Sequence, residues 1–102
     1  PILATRHGQV AQLVQSWDAA LASAIAADNL FLDRSRADWI VHAREKLEPI
    51  GKITSVGPIK ADNALRGSFP LVGERGTVNV AFTLTPEREP KVQEITLTPA
   101  KQ

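Results

Sequence analysis

The sequence predicts an α+β fold: two N-terminal helices packed on one face of a four-stranded antiparallel sheet. Three observations carry this. Apolar residues recur at helical spacing before Gly51 and alternate one-by-one after it. Short Gly- and Pro-containing turns punctuate the second half. Helical patterns followed by a run of strand patterns indicate segregated helices and sheet, and strict alternation gives the sheet one dry and one wet face.

The first helix is predicted over about 9–27. Val10, Leu13, Val14, Trp17, Ala20, Leu21, Ala24 and Ile25 form one apolar stripe, with Gln9, Gln12, Gln15, Asp18 and Ser23 off it. The Ala-rich run from Ala19 to Ala27 favours a helix, and Asp28-Asn29 ends it. Leu30-Phe31-Leu32 reads as a linker whose Phe31 plugs the core. The second helix is predicted over about 36–48. Ser35 is its N-cap, Asp38 is the acid at the third helical position, and Pro49 and Gly51 stop it. Trp39, Ile40, Ala43 and Leu47 are its buried stripe.

Four strands follow, over about 52–60, 63–72, 76–85 and 91–98. Gly57-Pro58 interrupts the first and suggests a bulge or an edge position. Leu65, Gly67, Phe69 and Leu71 alternate in the second. Gly73-Glu74-Arg75-Gly76 is a turn. Val78, Val80, Phe82 and Leu84 alternate with Thr77, Asn79, Ala81 and Thr83 in the third. Pro86 to Pro90 turn the chain, and Ile95 and Leu97 mark the fourth strand, which Pro99 ends.

The 102 residues read as a single domain, 1–102, large enough for a core without staples. The formal net charge is +1, with both signs dispersed, which argues against nucleic acid or an anionic membrane as main partner. No apolar run approaches the roughly 20 residues of a membrane span. There is no cysteine, which rules out disulfides and thiolate chemistry. That suits the cytosol, and it suits a periplasmic or secreted protein equally, so location stays open. A chain that opens on Pro1 and contains no Met reads as a processed or excised segment.

The element order resembles the NTF2-like or cystatin-like α+β roll. The segments SRADWIVHAREKLEPIGKI and VQEITLTPA, together with the order of the elements, resemble the small NTF2-like domain that precedes the catalytic domain of some bacterial serine hydrolases of the β-lactamase type. The resemblance implies a non-catalytic accessory role, in dimerisation or in docking to an adjoining catalytic domain. It also implies that hydrolase chemistry lies elsewhere. The Ser-x-x-Lys nucleophile motif is missing, since Ser16, Ser23, Ser35, Ser55 and Ser68 each lack Lys three positions on. Other members, isomerases and cyclases, use a pocket between helices and sheet. The alternative function is therefore a small-molecule binding or isomerase-like domain.

For such a pocket the candidate ligand-binding residues are Trp17, Trp39, His42 and Phe69, and the candidate ligand is small and hydrophobic. Trp17 and Trp39 fall on buried stripes and read first as core residues, and a buried indole then needs an acceptor, for which Asp18 and Asn79 are candidates. Asp38 and His42 share a helix face and could form an acid–base pair. Capping accounts for Asp38 without any substrate. His7 and Arg6 read as a disordered start, and two histidines far apart in sequence make no metal site, so no metal or cofactor is expected. Arg34, Arg36, Arg44, Lys46 and Lys52 interleave with Asp33, Asp38, Glu45 and Glu48, which reads as a solvated face. Arg66 is placed on the wet face. Thr77, Asn79, Ala81, Thr83, Thr96 and Thr98, with Thr85, give that face a charge-free surface, the candidate interface for a homodimer or an adjoining domain.

Overall fold

The computed structural model of the chain describes residues 2–32 and 34–100. Asp33, counted above in the interleaved charges, lies outside the described residues. The architecture is α+β. Three α-helices, α1 (Ile2–Gln15), α2 (Ala19–Ile25) and α3 (Arg36–Leu47), precede five antiparallel strands: β1 (Ile53–Val56), β2 (Lys60–Asn63), β3 (Arg66–Gly73), β4 (Gly76–Leu84) and β5 (Val92–Pro99). The sheet order is β1-β3-β4-β5, with β2 also paired to β3.

The expected first helix is thus two helices, and it begins earlier. Asp18 makes the division. Its backbone is extended, at φ −94° and ψ 120°, and its Oδ1 accepts from the amides of Ala20 at 2.7 Å and Leu21 at 3.2 Å. A side chain that caps a new helix cannot continue the old one. The break lets Val10, Leu13 and Val14 of α1 and Ala22 and Ile25 of α2 all reach the core.

The start of α1 is ordered, contrary to the expectation for Arg6 and His7. Arg6 is buried. Its Nε and Nη2 both donate to the Pro90 carbonyl, at 3.1 and 3.0 Å, and Nη1 donates to Gln9 Oε1 at 2.7 Å. His7 Nε2 donates to the Gly57 carbonyl at 3.0 Å, and its ring meets Phe69 edge-on at 4.5 Å.

Between α2 and α3 the chain makes a single 3-10 turn over Asp28–Phe31. Leu30, rather than Phe31, enters the core. Phe31 is half-buried beneath the Arg36 guanidinium, 4.1 Å from its ring, and Leu32 is 78% exposed. Helix α3 starts as its sequence predicts, with the Ser35 hydroxyl accepting from the Asp38 amide at 3.2 Å.

The expected first strand is also two. β1 pairs with the far end of β3 and β2 with its near end, and the chain leaves the ladder across Gly57-Pro58-Ile59. Pro70 of β3 lies opposite this gap. Its carbonyl accepts from the Gly57 amide at 2.8 Å, so its nitrogen, which bears no hydrogen, faces the same gap. The proline inside an inner strand is tolerated because its missing donor meets a place where the edge strand is already broken.

Phe69, Leu71, Val78, Val80, Phe82, Leu84, Val92, Ile95 and Leu97 fill the dry face of β3, β4 and β5 and pack against the helices. Helix α1 lies against β3 and α3 against β5. β2 is exposed throughout and most of β1 is exposed, as short edge strands tend to be.

Candidate functional site

The local break at Asp18 leaves Trp17 outside both helices. It stacks on Trp39 of α3, with ring centroids 5.4 Å apart and planes 9° from parallel. Trp39 is buried, and its Nε1–H donates to the Leu30 carbonyl at 3.0 Å. The indole partner is therefore a main-chain carbonyl, not Asp18 or Asn79. His42, one turn on from Trp39, meets its ring edge-on at 5.6 Å, and the Arg34 guanidinium carbon lies 4.7 Å from the same ring.

The structure thus brings Trp17, Trp39 and His42 into one aromatic cluster. Phe69 is not part of it. It is fully buried across the core, against His7 and Phe82. Nor does Asp38 reach His42: no hydrogen bond joins them among the described residues, and His42 is oriented by Trp39 instead.

Two open clefts border the cluster. One, about 750 Å³, runs between the end of α1, α3 and the start of β1, with Trp17, Ile40, Arg44 and Leu47 on its walls. The other, about 370 Å³, lies between α3 and β5. Its walls include Arg34, Trp39, His42 and Lys46 on the helix side and residues 93–97 on the strand side. Partial burial, then the charges of Arg34 and Lys46, hold the His42 pKa below 6.5, and Glu45 acts weakly in the other direction. Arg34 and Lys46 thus place two positive charges on the helix side of the second cleft.

The wet face of the sheet is assembled by register. Asn79 sits between Pro70 and Thr98, Ala81 between Ser68 and Thr96, and Thr83 between Arg66 and Glu94, while Thr77 faces Val72. The six candidate interface residues therefore occupy one surface, half-buried on β4 and exposed on β5. Two features differ from the expectation. Thr85 is buried, since its amide donates to the Lys91 carbonyl and its hydroxyl accepts from the Lys91 amide, both within 3.0 Å. The face is also not wholly charge-free: Arg66 and Glu94 close one end, beside a shallow hollow that Leu32 and Asn29 help to line.

The sequence offered little signal for Arg34 or Leu32, whose roles depend on how the 3-10 turn places them. Among the described residues no group of His, Asp and Glu is arranged to hold a metal ion, and no helix is long and apolar enough to cross a membrane. No family model, curated protein or solved structure matches this chain.

Proposed function

We propose that this chain is a non-catalytic interaction domain of the NTF2-like type, which associates with a second copy of itself through the wet face of its sheet. The observation that supports this is the register of β3, β4 and β5. It sets the neutral rows Pro70/Asn79/Thr98 and Ser68/Ala81/Thr96 side by side and ends them with Arg66 and Glu94 on opposite flanks of Thr83.

That pattern is self-complementary. Two sheets packed face to face about a two-fold axis along β4 bring β3 of each copy over β5 of the other. Arg66 of each copy then faces Glu94 of the other, while small uncharged side chains meet in the middle without desolvating charge. Leu32 adds an exposed apolar group at the same end.

Sedimentation velocity over a range of protein concentrations tests the reading. The expected result is a reversible dimer that Ala81→Arg abolishes, that Arg66→Glu weakens, and that Arg66→Glu combined with Glu94→Arg restores. A monomer at every concentration, or a dimer indifferent to Ala81→Arg, defeats it. A monomer that binds an adjoining catalytic domain through this face would place the docking partner in that domain instead.

A further inference from the structure

The outer edge of β5 is only partly covered. The amide of Ala100 donates to the Thr77 carbonyl at 2.9 Å. In an antiparallel ladder this makes Ala100, Thr98 and Thr96 the residues bonded to β4, and turns the amides and carbonyls of Leu97 and Ile95 outward. At the start of the strand the edge is capped, because the Ala27 amide donates to the Val92 carbonyl at 2.8 Å. At its end Pro99 has no amide to offer. Between them, Ile95 and Leu97 present their main-chain groups to the cleft beneath α3, and no backbone partner for them occurs among the described residues.

The opposite wall of that cleft carries Arg34, His42 and Lys46 beside the rim of Trp39. Glu94, the acidic residue of the strand wall, is turned to the wet face, where the Thr83 hydroxyl donates to its Oε1 at 3.5 Å. The cleft therefore offers main-chain donors and acceptors on one side and positive charge on the other.

We propose that the edge of β5 at Ile95 and Leu97, with the Arg34, His42 and Lys46 wall of the adjoining cleft, binds an acidic peptide in extended conformation as an added strand. Main-chain pairing supplies affinity in this mode, and the side chains that alternate toward the groove supply selection. A carboxylate on the groove side of the peptide meets Arg34 and Lys46. The binding edge is separate from the wet face assigned above to self-association.

The test uses two blocked heptapeptides, one alternating valine with glutamate and one alternating valine with lysine. Amide hydrogen exchange followed by NMR reads the edge, and sedimentation at the same concentrations reads self-association separately. The valine–glutamate peptide is expected to slow exchange at Ile95 and Leu97 about tenfold or more and to bind about tenfold tighter than the lysine peptide. Added salt, or the paired substitution Arg34→Gln and Lys46→Gln, is expected to remove that preference. The salt arm needs no variant and stands even where the double substitution unfolds the chain. The proposal is overturned by failure of the glutamate peptide to bind, by equal binding of the two peptides, or by protection that spares Ile95 and Leu97. Protection of those amides in the free chain that grows with protein concentration also overturns it, since the edge then pairs with a second copy.

Discussion

Gly57 and Pro70 are in contact across the break in the edge strand: the Gly57 amide donates to the Pro70 carbonyl at 2.8 Å, and a Cβ on Gly57 would fall 2.3 Å from Pro70 Cγ. A side chain at position 57 has no room unless the proline or the edge strand moves. Gly57→Ala is therefore expected to cost about 1–3 kcal/mol, as overpacking does. Urea denaturation with an unchanged m-value checks it. The contact His7 makes to the Gly57 carbonyl predicts that the same variant also loosens the start of α1, seen as faster amide exchange there.

Arg6 ties α1 to the turn between β4 and β5 through two hydrogen bonds to the Pro90 carbonyl. Arg6→Ala removes a charged, buried donor and is expected to cost about 1.5–3 kcal/mol. Hydrogen exchange should accelerate in the turn around Arg88 and Glu89. Arg6→Lys restores the charge without the fork that grips one carbonyl with two N–H groups, so it should recover only part of the loss. Equal stability of Arg6→Ala and the parent chain would show the turn to be held by other contacts.

Trp39 combines buried area with a hydrogen bond from Nε1 to the Leu30 carbonyl. Trp39→Ala is expected to cost ~3–5 kcal/mol. Trp39→Phe keeps much of the packing but strands the carbonyl of Leu30, and is expected to cost about 1–3 kcal/mol. Trp39→Ala removes the stacking partner of Trp17 and Trp39→Phe exchanges its indole for a smaller ring, so the remaining tryptophan emission should change in both. Thermal melts and emission spectra read the two effects separately.

His42 resists protonation in the folded chain, because burial and then Arg34 and Lys46 hold its pKa below 6.5. The unfolded chain takes up the proton first. Stability contributed by neutral His42 is therefore present above about pH 6.5 and falls as pH drops through that value toward the folded pKa, then levels off. His42→Gln should flatten this part of the profile. Comparing melting temperatures of parent and variant between about pH 8 and pH 5 isolates the contribution, because His7 and the carboxylates are common to both. Parallel profiles for the two chains would contradict it.

The alternation of Val78, Val80, Phe82 and Leu84 with Thr77, Asn79, Ala81 and Thr83 was readable because a strand's period of two is a local property of the chain. The Ser35 cap of α3 was readable for the same reason. The division of the first helix at Asp18 was not, since an apolar stripe continues across a break that redirects the chain toward the same core. The ordered, buried state of Arg6 is not legible locally, because its partner, the Pro90 carbonyl, lies at the other end of the sequence. Of the candidate site, the proximity of Trp39 and His42 follows from their three-residue spacing on one helix, whereas the stacking of Trp17 on Trp39 and the separation of Phe69 from both depend on how distant segments pack.

The sequence by itself determined the class of fold, the dry and wet faces of the sheet, and the turn at Glu74-Arg75, all of which follow from periodicity, caps and glycine or proline chemistry within a few residues. Only the tertiary structure decided that Pro70 meets the gap after Gly57, that β5 is an outer strand with Ile95 and Leu97 turned to a cleft, and that Arg34 and Lys46 stand across from them. Those are relations between distant segments. They depend on strand order and on how helices lie over a sheet, which packing sets through the whole core and no local pattern encodes.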